Sequence, residues 1–174
     1  MAIANSVIEH VDDTLNGLFE IERYINISDL GTVSPPKHLP GEVKVAFEEA
    51  TRTLAIECWN AAGCMFRSCI DLATKQLLPK EETSGLDKHT RRYLALRLKW
   101  LFDTNLLPEN LRDLSLCVKE DGNDAVHEVT LKKEDAEDLL DFTVALLERI
   151  FTEPGKLEIA RKRRDQRRKE SDRN

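Results

Sequence analysis

Apolar residues recur every three or four positions over most of the chain, and this spacing predicts α-helices rather than strands. The first predicted helix runs over about residues 6–26, because Ser6 followed by Glu9 forms a capping box ahead of an apolar stripe. A second helical pattern covers residues 42–78. Its stripe shifts near Asn60, so we expect one bent helix or two helices broken around residues 59–63.

The rest of the chain continues the helical pattern. Thr90 is the predicted cap of a helix that ends near Phe102, and another helix is expected over residues 109–118. A core helix with a wide apolar stripe follows and reaches Phe151, and we expect Pro154-Gly155 to end it. The small-residue run Ala61-Ala62-Gly63-Cys64 predicts that another helix packs closely there. The fold class predicted is all-α, a bundle of about five to six helices.

The length of 174 residues fits one domain with a tail, and the charges are divided accordingly. We predict a helical bundle over residues 1–155 and a basic tail, helical or disordered, over residues 156–174. The tail carries nine Lys/Arg against four Asp/Glu, which leaves a net charge of minus 11 on residues 1–155. Such a tail can attract RNA or DNA, improve solubility, or bind an acidic partner. The absence of interleaved aromatic residues argues against specific base recognition.

Several classes of protein are disfavoured by the composition. The chain has no stretch of about 18 apolar residues, and its first residues lack a basic start followed by an apolar run. We therefore expect a cytoplasmic protein without membrane association. The four cysteines form no C-x-x-C pair, so we predict neither a metal site nor a cofactor and expect reduced core thiols.

A polar segment, residues 119–128, interrupts the apolar pattern. Within it, the pair Ala125-Val126 suggests a helical turn packed on the core, which would hold Asn123 and His127 on one face. Two polar groups fixed side by side form a candidate site. The alternatives are that His127 caps a helix and that Asn123, after Gly122, only makes the turn.

The segment Gly122-Asn123-x-Ala125-x-His127 resembles the R-x-x-G-N-x-A-x-H motif of a bacterial family of unknown function grouped with the HEPN superfamily. The resemblance covers about residues 39–152 and implies a HEPN-like bundle with long antiparallel helices that forms homodimers. The upstream chain carries further matches, at Leu39-Pro40, Phe47-Glu48-Glu49-Ala50, Ala61-Ala62, and Arg67 with Asp71.

Active members of this superfamily are metal-independent ribonucleases, and the resemblance implies a role for five residues. His127 would act as the general acid or base, Asn123 would orient it, and Gly122 would let the backbone approach the site. Lys119, where the family usually has Arg, and Arg67 would bind the phosphate. Arg67 also fits an ordinary ion pair with the residue one helical turn further on, Asp71.

The sequence also departs from the active pattern. The Arg that HEPN ribonucleases carry shortly before the His is missing, and Lys119 cannot form the bidentate clasp of phosphate that Arg forms. Four acidic residues near His127 would repel an RNA backbone. They are Glu120, Asp121, Asp124 and Glu128.

Three functional hypotheses remain. The first is a dimeric HEPN-like module of a bacterial or phage protein that binds RNA, a nucleotide or a protein and has a degenerate catalytic motif. The alternative is a metal-independent endoribonuclease that uses His127. The last is a helical adaptor whose basic tail binds an acidic partner.

Overall fold

The computed structural model describes residues 2–4, 19–21, 33–80, 85–119 and 131–171. The chain divides into two compact units, residues 1–31 and residues 32–174. In the first unit, strand β1 (Ala2–Ala4) pairs antiparallel with strand β2 (Phe19–Ile21). At β2 the structure therefore differs from the helix predicted over residues 6–26, whose other residues lie outside the described ones. Phe-Glu-Ile alternates apolar and polar residues, and three residues are too few to separate this period from a helical one.

The regular elements described in the second unit are all helices, which confirms the all-α fold class. A 3₁₀ turn, tighter than an α-helix, lies between two of its α-helices, and a π turn, wider than an α-helix, joins two others. The elements are α1 (Gly41–Ala55), α2 (Trp59–Gln76), α3 (Lys88–Arg92), α4 (Leu94–Asp103), the 3₁₀ turn (Glu109–Leu111), α5 (Leu116–Lys119), α6 (Lys133–Leu147), the π turn (Glu148–Thr152) and α7 (Glu153–Ser171). None of the described helices combines the length and apolar character needed to cross a bilayer.

Helices α1 and α2 form an antiparallel hairpin at the centre of the core. Phe47 meets Phe66 edge to face at 6.3 Å between ring centroids, and the Cys69 thiol lies 3.6 Å from the Val43 carbonyl oxygen. The contacting residues therefore follow opposite directions along the two helices, as in an antiparallel pair. The break predicted in this region exists, but it lies at residues 56–58, where Glu57 adopts a left-handed φ of 63° and reverses the chain.

Helix α6 packs on α2 at the small-residue run, as the sequence predicted. Gly63 is buried, and a Cβ there would collide with the side chain of Leu131 and lie 3.5 Å from Cδ1 of Leu139. The missing side chain thus lets the start of α6 approach α2 closely. The inner face of α6 is apolar, and it buries Ala136, Leu139, Phe142, Leu146 and Leu147.

The helix predicted over residues 90–102 is two helices. The cap is Asp87 rather than Thr90, because its carboxylate accepts a hydrogen bond of 2.6 Å from the Thr90 amide, which lowers the pKa of Asp87. Tyr93 is extended and separates α3 from α4. Near this break, the side chain of Arg97 donates a hydrogen bond to the carbonyl of Arg91.

Pro154-Gly155 does not end the core helix, contrary to the prediction. The amide of Glu153 bonds to the carbonyl of Glu148, five residues back, and this π turn joins α6 to α7. Pro154 then lies in the first turn of α7, where a missing amide hydrogen breaks no helical bond. One helical line consequently runs from Lys133 to Ser171. The segment expected to be helical or disordered after residue 155 is helical as far as it is described.

The π turn is held by the loop before α1. The hydroxyl of Thr152 donates a hydrogen bond of 2.8 Å to the carbonyl oxygen of Lys37. The next residue, His38, has a left-handed φ of 67°, and its ring packs on Gly155 so closely that a Cβ would come within 2.6 Å of ring atoms. Glycine is needed at residue 155 for this close contact rather than for a helix end.

The cysteines are not all core residues, contrary to the prediction. Cys69 is buried, Cys117 is half-buried, and Cys58 and Cys64 are exposed. Cys58 precedes α2 and Cys64 lies on its outer side, whereas Cys69 faces α1. Burial raises the pKa of the Cys69 thiol to about 12, so this group remains protonated at neutral pH.

Alkylation should separate these thiols. With iodoacetamide at pH 8, we expect rapid modification of Cys58 and Cys64 and protection of Cys69, because the thiolate is the reactive form and Cys69 is both buried and protonated. Peptide mass spectrometry gives the rate for each site, and urea-unfolded protein, in which all four should react, is the control. Equal rates for Cys69 and Cys58 in the native protein would contradict this assignment.

Candidate functional site

The structure describes only part of the predicted site. Gly122, Asn123 and His127 lie outside the described residues. Lys119 is the last residue of α5, and its side chain is also outside the described part. Arg67 lies on α2, and it connects the described bundle to the start of the polar segment.

Both ends of the polar segment are attached to α2. Nη2 of Arg67 donates a hydrogen bond of 2.9 Å to the carbonyl oxygen of Val118, one residue before Lys119. At the other end, the amide of Leu131 donates a hydrogen bond of 2.7 Å to Oδ1 of Asn60. Asn60 and Arg67 are seven residues apart, which is two turns or about 10 Å along one face of a helix. The chain thus leaves and rejoins the bundle on the same face of α2.

Asp71 pairs with two cations that the sequence reasoning did not assign to it. Its ion pair at helical spacing is with Lys75, at 2.5 Å, and its other oxygen pairs with the guanidinium of Arg97 on α4. Arg67 uses Nη2 to hold the Val118 carbonyl. Asp71 therefore joins α2 to α4, while Arg67 joins α2 to α5.

Arg97 is the residue that sequence reasoning missed. Its side chain is 0% exposed, and it donates from Nε to the Thr74 hydroxyl at 3.0 Å, from Nη1 to the Arg91 carbonyl, and from Nη2 to Asp71. These acceptors offset the cost of burying a guanidinium. A signal was present, because Arg97 occupies the apolar stripe formed by Leu94, Leu98 and Leu101.

An open depression of about 530 Å³ lies between α2 and the junction of α3 with α4. Arg67 and Ser68 line it on the α2 side, and Arg92, at the end of α3, and the half-exposed Tyr93 line it on the other side. We call it the α2–α4 groove. Its lining is Arg67, Ser68, Asp71, Leu72, Arg92, Tyr93 and Leu94.

The chemistry of the groove suits an anionic ligand. Two guanidinium groups and two hydroxyls are hydrogen-bond donors, and guanidinium geometry matches the oxygens of a phosphate. The one carboxylate, Asp71, is already engaged by Lys75 and Arg97. Arg92 also stacks near the ring of Tyr93, 5.8 Å from its centroid, and this contact holds an aromatic face beside the cation.

A family model described as Domain of unknown function (DUF4145) matches residues 48–169, well over half of the chain. The chain belongs to this family. The match of this DUF4145 chain includes α2, the groove, both ends of the polar segment and nearly all of α7. The search of curated proteins and the search of solved structures each found no match.

The Arg97 network should dominate the stability of the groove. We expect Asp71→Asn to lower the free energy of unfolding by roughly 3 kcal/mol, because it leaves the buried charge of Arg97 without its counter-ion. Urea denaturation followed by circular dichroism measures the change. The matched control is Asp103→Asn, which removes an exposed carboxylate between Lys99 and Arg112 and should change the midpoint little. Equal effects of the two substitutions would show that the Arg97 charge does not depend on Asp71.

Proposed function

We propose that this DUF4145 chain is a HEPN-like, homodimeric module of a cytoplasmic bacterial or phage protein, and that it binds RNA through the α2–α4 groove, next to the polar segment. One observation carries the proposal. Arg67, a cation of the groove, also holds the carbonyl of Val118, where the chain enters the polar segment. A single side chain thus links the anion-binding chemistry of the groove to the motif.

Chain geometry supports this link. His127 lies four positions before Leu131, which is anchored to Asn60 on α2, and four positions span at most about 14 Å of chain. Lys119 directly follows Val118, which is anchored to Arg67. The two ends of the segment therefore keep the motif within reach of the cations on this face of α2. A phosphate held by Arg67 and Arg92 would lie near it.

Binding without cleavage is favoured by the residues around His127. Four acidic residues lie close to His127 in the sequence and weaken its attraction for an RNA phosphate beyond the one held in the groove. They are Glu120, Asp121, Asp124 and Glu128. Lys119 offers a point charge where the family motif has the planar fork of Arg. These departures support a degenerate catalytic motif in a site that still has phosphate-binding cations.

The same Arg67 contact favours one second candidate, a metal-independent endoribonuclease. In this alternative, Arg67 supplies the cation that the motif lacks and stabilises charge on the phosphate. His127 moves a proton at the ribose 2′-hydroxyl or at the leaving oxygen, and Asn123 orients it. The two candidates share the RNA site and differ in whether the bond is broken.

Binding is tested by its salt dependence. For a fluorescent 20-nucleotide single-stranded RNA without metal, we expect Arg92→Gln to reduce the slope of log affinity against log salt by about 0.7, because one phosphate contact is lost. Anisotropy titrations between 50 and 200 mM NaCl measure this slope. The control is Arg52→Gln, which removes the same charge from an exposed site on α1, beside Glu48, and should leave the slope unchanged. Identical slopes for both variants would reject the groove as the RNA site.

Cleavage is tested on the same RNA in excess EDTA. We expect intact RNA with the wild-type protein, since the motif departs from the active pattern. Cleavage that survives EDTA and disappears in His127→Ala, but persists in a His10→Ala control, would instead establish the ribonuclease. Gel electrophoresis with labelled RNA measures either outcome.

A further inference from the structure

The second half of the long helical line is a fully exposed, basic helix. From Lys156 to Ser171 every residue is exposed, and no residue of α7 is buried. This stretch holds eight Lys/Arg against three Asp/Glu, a net charge of plus five. It also exposes two apolar side chains near its start, Leu157 at 70% and Ile159 at 45%. Such a helix presents a surface that this chain does not cover.

The first half of the same line has the opposite charge. Residues 133–153 hold seven Asp/Glu against two Lys/Arg, a net charge of minus five, and all seven acidic residues are exposed. The inner face of α6 is apolar and packs on the core, so the charges occupy its outer face. The two halves of one helix are therefore equal and opposite in charge.

Apart from Glu153 and Lys156, which are one turn apart at the junction, the charges of these two halves are too far apart to neutralise each other within one chain. The π turn continues the helix, so acidic and basic halves lie end to end rather than side by side. Asp141 and Arg163 are 22 residues apart, or about 33 Å along the helix. This distance exceeds the screening length of about 8 Å at physiological salt. Some charges pair within each half, as in Lys133–Glu137, Arg149–Glu153 and Glu158–Lys162, but neutralising the net charge that remains at close range requires another molecule.

We propose that the line from Lys133 to Ser171 pairs antiparallel with the same line of a second copy, basic half against acidic half. This proposal names the contact surface of the homodimer proposed above and rests on it. A second copy is the partner that fits both halves at once, because a two-fold axis repeats each favourable contact. Ile159, one turn before Arg163 on the same face, lies seven residues from the midpoint, residue 152, and so near that axis.

The spacing of the charges matches such a pairing. Glu137, Asp141 and Glu148 are separated by four and seven residues, which places them on one face of a helix. In the basic half, the spacing is seven and four, from Lys156 to Arg163 to Arg167.

Antiparallel pairing about residue 152 brings these two sets together. Residues at equal distances on either side of the midpoint then lie opposite each other. Lys156 of one copy meets Glu148 of the second copy, Arg163 meets Asp141, and Arg167 meets Glu137. The two-fold axis repeats all three pairs.

Charge reversal with rescue tests the proposal. We expect the double variant Arg163→Glu with Arg167→Glu to raise the dimer dissociation constant at least tenfold in sedimentation velocity experiments, through like-charge repulsion. The double variant Glu137→Arg with Asp141→Arg should do the same. Combining all four substitutions should restore the constant to within threefold of wild type.

A control on the same helix distinguishes an effect of this surface from an effect of the net charge of α7. Arg161 and Arg168 are seven residues apart on another face of α7, so reversing both should change the constant less than threefold. Increasing NaCl from 50 to 500 mM should weaken the wild-type dimer. Because the fourfold variant must recover, loss of dimer through misfolding cannot imitate the expected result.

Each of the other outcomes contradicts a specific part of the proposal. A wild-type dimer that neither double variant weakens means that the chain dimerises by another surface, so this inference fails while the proposed homodimer stands. A monomeric wild type at 100 µM overturns both. If the Arg163/Arg167 variant loses RNA binding and the fourfold variant restores neither RNA binding nor the dimer, the basic half is a nucleic-acid arm and the pairing is wrong.

Discussion

The buried guanidinium of Arg97 is the constraint on which the described bundle depends. It lies on α4 and bonds to Asp71 and Thr74 on α2 and to the carbonyl of Arg91 at the end of α3. A buried cation that loses an acceptor costs several kcal/mol, so these three helices must keep their relative positions. The contact with Arg91 spans the extended Tyr93, which separates α3 from α4. Arg92 and Tyr93 are consequently held at the edge of the α2–α4 groove.

The 18 residues of helix α2 form two faces with different roles. One face buries apolar side chains against α1 and α6. The other carries a polar row, Asn60, Arg67, Asp71 and Thr74, separated by seven, four and three residues. Asn60 and Arg67 hydrogen-bond to the two ends of the polar segment. Asp71 and Thr74 bind the buried guanidinium of Arg97. The rigidity of this one helix therefore sets both the groove and the points between which the motif must lie.

Periodicity was sufficient for the helical class, because repeated apolar spacing reports a buried face directly. The close packing at Gly63 was predictable for the same reason, since small residues in a helix indicate a near neighbour. Contacts distant in sequence were not predictable. Asp71 lies one turn from both Arg67 and Lys75, and only the fold shows that Lys75 and the distant Arg97 pair with it. The two exposed cysteines were misassigned because an apolar segment does not reveal which of its smaller residues face solvent. The site roles of Lys119, Gly122, Asn123 and His127 remain predictions from the motif.

Pro154-Gly155 shows how a local rule can fail for a physical reason. Proline is excluded from the interior of an α-helix by the hydrogen bond it cannot make, but a π turn just before it places residue 154 in a first turn, where no bond is required. Glycine, read as a terminator, instead makes room for His38. The continuation of the helix past residue 155 also determines where the charged residues lie. A helix that ended at residue 155 could let the basic segment fold back on the acidic body, whereas the continuous helix keeps the two charged halves end to end. This arrangement is the reason for proposing that a second copy neutralises them.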